Sequence, residues 1–345
     1  MAYNIKDIAK LAGVSVSTVS KIINNYSEIS EETKTRVLRI MKETGFSPSS
    51  SKMPANKNSN LIGVIFAGML NVDFTHPFFV EVLNSFKKQM GLLGYDLVFF
   101  SNEKFQSGGN NDYLARCQHF NVDGCILISG QELESSIQQL DESAIPCIGV
   151  DMKLSGPSSG YIMSDNYKMS SKAVEHFYLM GYRELGYIGS TWESDISNMR
   201  ESGYRSAIEG FGLRLNENWF LNGEHFFEAS GYETMRRMIA AGDLPRAIYA
   251  ASDQLAIGAI RALKEFSLSV PETIAIIGCD DIEACSYTSP PLSTIRQNKE
   301  KIGRLAALML YDLINNQSGA SSFIVEPELI VRESCGSKLN LTAHF

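Results

Sequence analysis

The sequence predicts two parts: an N-terminal all-α head and an α/β body built from two parallel-sheet subdomains. Three observations support this. At 345 residues the chain suits two or three domains. Residues 1–46 carry helical patterns, and from Leu61 onward short apolar runs alternate with amphipathic helical patterns. Such alternation is typical of parallel sheets covered by helices on both faces.

We expect the head to span residues 1–46, a linker 47–60 and the body 61–340. Within the body, one subdomain is expected to comprise about 61–162 and 292–322. The other is expected to comprise about 163–291 and 323–340.

The first two helices of the head are predicted around a tight turn. Asn4 can cap a helix whose apolar stripe is expected to include Ile5, Ile8 and Leu11. Gly13 ends that helix, because glycine adopts positive φ at little cost. Ser15 is placed to cap a second helix, from Val16 to about Asn24, that is anchored by Val19, Ile22 and Ile23.

A third helix is predicted to close the core of the head. Ser30 can cap it, with Val37, Leu38 and Met41 facing inward and Gly45 ending it. Two short helices, a tight glycine turn and a closing third helix form a helix-turn-helix.

The second helix begins with short polar side chains that suit a major groove. Hydroxyl groups there can donate to phosphates and contact base edges. The residues expected to contact DNA on this helix are Val16, Ser17, Thr18, Ser20 and Lys21. The alternative is an ordinary helical hairpin with a solvated serine-rich face.

The distribution of charge favours a polyanion partner for the head alone. Residues 1–60 carry nine basic and five acidic residues, while the rest carries 22 basic and 34 acidic residues, so a head of +4 precedes a body of −12. A polyanion attracts the head and repels the body.

Two stretches of the head carry a family resemblance. "IKDIAKLAGVSVSTVSKIINN" and "ISEETKTRVLRIMKETGFSP" closely resemble the DNA-binding head of the LacI/GalR family of bacterial regulators. The resemblance implies that Val16, Ser17 and Lys21 read bases. It also implies that the linker folds on operator DNA into a hinge helix that inserts a leucine into the minor groove.

The linker departs from that family pattern. "SPSSSKMPANKNSN" places Ala55 where the leucine is expected, next to Pro54. Alanine is too short to wedge a base step, and proline inside a helix costs about 3 kcal/mol. Either the hinge makes no wedge, or Met53 takes the role of the leucine from a shifted register. Met53 is therefore a further candidate DNA contact.

The body contains eight candidate strands interleaved with helical patterns. The strands are "LIGVIF", "YDLVFFS", "DGCILIS", "PCIGVD", "ELGYIGS", "WFLNGE", "AIYAAS" and "TIAIIGCD". Ligands of such sheets are expected at the carboxyl ends of strands, where the two subdomains face each other. "ASDQLAIGAIRALKE", "VPETIAIIGCDDIE" and "PPLSTIRQ" resemble the same family. The resemblance implies a periplasmic-binding-protein-like fold in which the chain crosses between subdomains near 161–164, 289–293 and 321–325.

Candidate effector-binding residues stand at these strand ends. Carboxylates and a guanidinium can hold vicinal hydroxyls, and an aromatic ring can lie against the apolar face of a sugar. The candidates are Phe78, Ser129, Asp151, Arg200 (placed just before a helix), Phe226, Ser252 and Asp280. The resemblance implies an effector contact for Asp151, Arg200, Phe226, Ser252 and Asp280. Asp253 is expected to be a helix N-cap instead, and Asp281 and Arg296 suit a structural role equally well.

No enzymatic constellation emerges from the sequence. "GPSSG" at residues 156–160 fits the G-x-S-x-G of a serine hydrolase, but the stretch directly after it reads as extended chain rather than the helix that this motif requires. The five histidines are scattered, and no phosphate-binding glycine motif is present. We therefore expect no catalytic residues, no metal and no cofactor.

The expected protein is a cytoplasmic, homodimeric transcriptional repressor. Its affinity for double-stranded operator DNA would be controlled by a small effector bound between the subdomains. The expected effector is a sugar or sugar derivative. No apolar run approaches the length of a membrane span, and the six cysteines are expected to be reduced thiols in the core. The alternative is a periplasmic-type sugar-binding protein for transport, which needs no DNA-binding head.

Overall fold

The computed structural model describes residues 5–23, 29–44, 59–67, 76–101, 112–128, 135–191, 194–317, 319 and 321–337. The chain divides into two compact units, Met1–Asn58 and Ser59–Phe345. Within the described ranges, no helix has both the length and the apolar character needed to cross a membrane.

The first unit is a three-helix head. Its helices are α1 (Ile5–Ala12), α2 (Val16–Ile23) and α3 (Glu31–Thr44). Gly13 takes a φ of 64° in the turn between the first two helices, and Ser30 Oγ accepts from the backbone N–H of Thr33 at the start of the third. The buried core comprises Ile8, Ala9, Ala12, Val19, Ile22, Val37 and Met41. The helix-turn-helix is therefore confirmed.

Two apolar residues expected in this core lie outside it. Leu11 is 55% exposed and Leu38 is 47% exposed. Successive helical residues are about 100° apart around the axis. Leu11 lies beside the stripe formed by Ile8 and Ala12, and Leu38 lies about 100° from Val37. Each therefore falls at the edge of its helix's buried face.

The second unit contains two six-stranded sheets. The first sheet has the order β11-β5-β4-β3-β1-β2 and the second has the order β12-β10-β9-β8-β6-β7. The strands are β1 (Leu61–Phe66), β2 (Asp96–Phe100), β3 (Gly124–Ile128), β4 (Cys147–Val150), β5 (Ser159–Ser164), β6 (Leu185–Ser190), β7 (Phe220–Gly223), β8 (Ala247–Ala250), β9 (Ala275–Asp280), β10 (Ser293–Arg296), β11 (Ser322–Val325) and β12 (Glu328–Ile330). All neighbours are parallel except β12, which runs antiparallel to β10.

In the described part of the second unit, eight α-helices accompany these strands. They are α4 (Pro77–Leu92), α5 (Tyr113–Phe120), α6 (Ser135–Asp141), α7 (Asn166–Leu179), α8 (Asp195–Gly210), α9 (Glu228–Ala241), α10 (Asp253–Glu265) and α11 (Lys299–Ile314). Strands such as β3 and β9 are buried along their whole length, as expected when helices cover both faces of a parallel sheet. The predicted α/β body of two parallel-sheet subdomains is confirmed.

The chain passes between the two sheets three times, at positions that differ in part from expectation. After β5 the chain enters the second sheet's layers, with α7 packing on α8. The crossing expected near 289–293 comes later, because β10 still pairs with β9 in the second sheet. Only then does α11 pack on α4 beside the first sheet. The third crossing follows β11, which pairs with β5.

The cysteines and the "GPSSG" segment belong to the framework of the body. All six cysteines are free and buried. The "GPSSG" segment runs straight into β5, so it lacks the strand–turn–helix geometry that a hydrolase nucleophile requires.

Candidate functional site

The start of α2 has its own hydrogen-bonded cap. Ser15 Oγ accepts from the backbone N–H of Thr18 at 3.1 Å and lies 2.7 Å from Ser17 Oγ. Val19 and Ile22 are buried, which fixes the helix against its neighbours. A short hydroxyl-bearing helix end of this kind can approach a DNA groove closely.

The predicted DNA contacts differ in exposure. Val16, Ser17 and Lys21 are exposed, whereas Thr18 and Ser20 are half-buried. The three residues predicted to read bases thus lie on the accessible side of α2. Met53 and Ala55 of the linker lie outside the described residues, as does the side chain of Ile23.

In the second unit, the carboxyl ends of strands from both sheets converge on one buried charged cluster. Asp151 follows β4 of the first sheet, and Asp280 ends β9 of the second. The guanidinium of Arg200 interacts electrostatically with both carboxyl groups. Arg200 was expected just before a helix, but it lies inside α8. Arg200 is on the buried face of that helix, and only 4% of it is exposed to solvent.

The guanidinium of Arg200 is held by the protein on several sides. Its Nε donates to Asn166 Oδ1 at 2.8 Å and its Nη1 donates to the carbonyl of Ala251. Its Nη2 lies 3.7 Å from Asp280 Oδ1, and its carbon lies 5.7 Å from the centre of the Phe226 ring. Two of its five N–H groups are therefore used in hydrogen bonds, and Nη2 has only the longer contact with Asp280.

Asp151 is buried, and the pKa of its carboxyl group is unusually high. Burial raises the pKa of its carboxyl group to about 7, against the opposing effect of Arg200 and with a further contribution from Asp280. Its Oδ1 has no hydrogen-bond partner. Asp151, Asp280 and Asp281 all have positive φ, a backbone conformation that costs free energy outside glycine and that clusters at binding sites.

His76 is a cleft residue that sequence reasoning missed. It is 8% exposed, and its ring centre lies 5.2 Å from that of Phe79 and 5.8 Å from that of Phe227. Burial lowers the pKa of the imidazole; Asp280 opposes that effect and Arg200 adds to it. Its Nδ1 has no hydrogen-bond partner. A single histidine before a helix carries no sequence signal, because its charged neighbours come from distant parts of the chain.

Gln297 is the second missed residue. Its Nε2 donates to Asp280 Oδ1 at 2.7 Å, while its Oε1 is buried without a partner. Together with Asp151 Oδ1 and His76 Nδ1, this oxygen gives the cluster three buried polar atoms that a ligand can satisfy. Such atoms are costly unless they are hydrogen-bonded. The cluster therefore offers a ligand three unpartnered polar atoms, beside the N–H groups of Arg200 that make no hydrogen bond.

Two of the remaining candidates have structural contacts of their own. Ser252 caps α10: its Oγ accepts from the backbone N–H of Leu255 and donates to the carbonyl of Phe226 at 2.8 Å. Phe78 is buried, with its ring centre 5.0 Å from that of Phe79. Phe226 packs against the apolar clusters of both sheets. Ser129 lies outside the described residues.

The expected N-cap role of Asp253 is wrong. Ser252 holds that position, and Asp253 is fully buried. Its carboxylate accepts from the N–H of Ile282 at 2.9 Å and from the hydroxyl of Thr294. Burial raises the pKa of Asp253 to about 7, to which Asp280 contributes. Asp253 therefore ties α10 to the segments that follow β9.

Asp281 and Arg296 belong to the framework. Asp281 accepts from Arg296 Nε and from Arg332 Nη2, each at 2.7 Å. These ion pairs hold the turn after β9 and engage both carboxylate oxygens of Asp281.

Comparisons with known proteins match both units. A family model described as bacterial regulatory proteins, lacI family, matches residues 4–49, and one for a periplasmic binding protein-like domain matches residues 174–335. The HTH-type transcriptional repressor PurR of Pasteurella multocida (strain Pm70) is 31% identical over 338 residues, covering 97% of this chain and 99% of that protein. The PurR of Haemophilus influenzae (strain PittEE) is 32% identical over 342 residues, covering 97% and 99%.

Solved structures resemble the whole chain. The transcriptional regulator CelR in complex with cellobiose has a TM-score of 0.72 and 26% identity, covering 96% of this chain and 99% of its own. The lac repressor dimer bound to operator and the anti-inducer ONPF has a TM-score of 0.68 and 23% identity, covering 97% and 99%. The latter likeness concerns the fold.

Proposed function

This chain belongs to the lacI family of bacterial regulatory proteins and is a DNA-binding transcriptional regulator, and from that premise we propose that it is a repressor controlled by a neutral polyhydroxylated effector. Its relatives match across head and body together. That match excludes the alternative of a transport protein without a DNA-binding head.

The DNA-binding role is assigned to the exposed side of α2. Val16, Ser17 and Lys21 are exposed there on a helix anchored by buried Val19 and Ile22. We propose that these three side chains read bases while Thr18 and Ser20 support the helix end. One head buries little surface, so two heads on a near-palindromic operator are expected to supply tight binding. This favours a homodimer.

The effector class follows from the three unpartnered polar atoms of the cleft. Asp151 Oδ1 and Gln297 Oε1 are acceptors, and neutral His76 offers a ring nitrogen. Arg200 uses two of its five N–H groups in hydrogen bonds, so it also keeps donors for a ligand. A ligand with several hydroxyl groups can donate to the unpartnered atoms and accept from Arg200, whereas a phosphate has few donors and adds negative charge beside Asp151 and Asp280. Phe226 can cover an apolar sugar face. One solved relative, CelR, is a complex with cellobiose.

A thermal-shift screen tests the effector class. Purified protein is heated with D-glucose, D-ribose, cellobiose, glucose 6-phosphate and hypoxanthine, because a ligand that binds only the folded state raises the melting temperature by mass action. We expect a neutral sugar to stabilise the protein and glucose 6-phosphate to have no effect. Asp280→Asn should abolish the sugar's effect and leave operator binding in a gel shift intact.

Two results would oppose this assignment. Stabilisation by hypoxanthine alone would replace the sugar with a planar heterocycle. A sugar response that Asp280→Asn leaves undiminished would place the effector outside this cleft.

A further inference from the structure

Lys299 occupies an unusual position for a lysine. It is the first residue of α11, directly after the chain passes from the second sheet to the first, and it is 7% exposed. A buried ammonium group is unfavourable unless each of its three N–H groups finds an acceptor. The acceptors around Lys299 Nζ therefore indicate the role of this buried ammonium group.

Three acceptors surround Lys299 Nζ, and they come from both sides of the cleft. The ammonium donates to the backbone carbonyl of Asp280 at 3.1 Å and to that of Asp281. Its third neighbour is Glu81 Oε2 at 3.5 Å. Two acceptors belong to the turn after β9 of the second sheet, and the third belongs to α4 beside the first sheet. The number of acceptors equals the number of N–H groups.

The turn that Lys299 contacts has an unfavourable backbone conformation, which the surrounding contacts must stabilise. Asp280 has a φ of 120° and Asp281 has a φ of 56°. Such angles are unfavourable for residues with a Cβ and persist where surrounding contacts impose them. The carboxyl group of the same Asp280 lies against Arg200 and Gln297 in the cleft. Any ligand that repositions this carboxyl group acts on the turn that Lys299 grips.

Helix α4, which carries Glu81, is held tightly against the start of α11. Helix α4 packs closely on α11: the nearest atom to a Cβ built on Gly303 would be the carbonyl oxygen of Val82, at 2.2 Å. Ser85 of α4 also donates to the carbonyl of Glu300 at 2.7 Å. Glu81 therefore lies on a helix that moves with the start of α11, whereas Asp280 and Asp281 belong to the other sheet.

We propose that Lys299 is a positioning residue that couples the Asp280–Asp281 turn of the effector cleft to helix α4 of the opposite subdomain. The ammonium links two rigid bodies at the point where the chain crosses between them. Coupling of this kind is reciprocal, so a substitution of Glu81 must change the stability of the turn. The inference rests on the proposed effector cleft only for its regulatory meaning; the coupling itself needs neither effector nor operator.

Hydrogen–deuterium exchange measures this coupling on the free, full-length protein. The amides of Asp281 and Ile282 donate to Thr294 Oγ1 and Asp253 Oδ2, so their exchange reports opening of the turn. We expect Glu81→Gln to raise the exchange rate of this segment several-fold, although Glu81 lies on another sheet's helix. Lys299→Met should raise it further, and the double variant should match Lys299→Met alone. Lys299→Arg should restore part of the protection.

Lys301→Met is the matched control, because Lys301 is an exposed lysine of the same helical turn. It should leave the exchange of the turn unchanged. An increase with Lys299→Met but none with Glu81→Gln would reduce Lys299 to a local support and overturn the coupling. Additive effects of the two changes would overturn it as well. If Lys299→Met does not fold, Glu81→Gln against Lys301→Met still decides the question.

Discussion

At the residue scale, the central feature is a set of polar groups buried more deeply than their chemistry favours. Asp151 approaches from one sheet, and Arg200 and Asp280 approach from the other. The sequence predicted these three residues, because two of them terminate apolar strands and all three fit a family pattern. It could not predict His76 or Gln297, since their importance comes from partners that lie far away along the chain.

The raised pKa of Asp151 predicts a pH dependence of stability. The carboxyl group titrates near 7 in the folded protein but near 3.8 when unfolded. Between these values the folded state binds more protons than the unfolded state, so the free energy of unfolding falls as pH rises from about 4 to 7. Asp151→Asn should remove that part of the slope and stabilise the empty protein at pH 7, by at most about 4 kcal/mol at about 1.4 kcal/mol per pK unit.

Chemical denaturation between pH 4 and pH 8 measures this effect. Asp253 also has a pKa raised to about 7, so a residual slope is expected in the variant. Asp195→Asn is the control, because Asp195 is an exposed residue with only a surface ion pair to Lys153. An Asp151→Asn variant with the full slope of the parent would show that this carboxyl group is ionised in the folded state.

Lys21 tests the DNA-reading surface at the same scale. Lys21→Ala should weaken operator binding by about 1–3 kcal/mol if the ammonium contacts a base, and base-substitution scanning should show relaxed specificity at one position. Fluorescence anisotropy on a set of substituted duplexes measures both. Lys87→Ala, which removes an exposed charge from α4 of the body, should change neither. Uniform weakening across all duplexes would make Lys21 a phosphate contact instead.

At the element scale, strands with continuous apolar runs could be predicted, and short strands of mixed composition could not. The strands that were identified include the four-residue β4 and β8, which are apolar and fully buried. β10, β11 and β12 are equally short but include polar residues, so their sequences do not distinguish a strand from a connector. The second crossing was expected too early because its position came from the family resemblance and not from the residues around β10.

The contact between α4 and α11 predicts a contrast between two glycines. Gly303→Ala places a Cβ 2.2 Å from the carbonyl oxygen of Val82, so the helices must separate. We expect destabilisation of about 1–3 kcal/mol, typical of overpacking. Gly91→Ala, on the same α4 helix with no atom within 4 Å of the new Cβ, should stabilise by about 0.5 kcal/mol. Urea denaturation of both variants measures the difference, and equal effects would contradict this close packing.

The start of β1 is fixed where the chain enters the body. Asp123 accepts from the backbone N–H of Ser59 at 3.0 Å and of Asn60 at 2.8 Å. Asp123→Ala leaves both amides without this acceptor and loosens the point at which the linker departs. We expect operator affinity to fall about 3- to 10-fold, which corresponds to about 1 kcal/mol, the net effect of one ordinary hydrogen bond. Sugar binding should remain unchanged.

Asp96→Ala controls for charge, because it removes an exposed carboxylate from the neighbouring strand β2. Gel shifts should show no change for this variant. Equal operator affinity in Asp123→Ala and the parent would mean that the exit point of the linker does not matter for DNA binding.

At the scale of the whole molecule, one chain carries two separate tasks. The head offers an exposed, serine-rich helix to DNA, and the body surrounds a buried polar cleft with elements of both sheets. The division of charge, with a positive head and a strongly negative body, restricts DNA binding to the head. An effector changes operator affinity only if it binds two conformations of the body differently. The link through Lys299 provides contacts that such conformations can exchange.

The most direct test is a binding titration of the full-length protein. Labelled duplexes that tile the DNA flanking its own gene are titrated by fluorescence anisotropy at low and moderate salt. We expect one near-palindromic duplex to bind with a Kd of about 10⁻⁸ M or tighter, at least about a thousandfold more tightly than the others, with affinity falling as salt rises. Equal, weak binding to every duplex even at low salt would contradict a sequence-specific regulator.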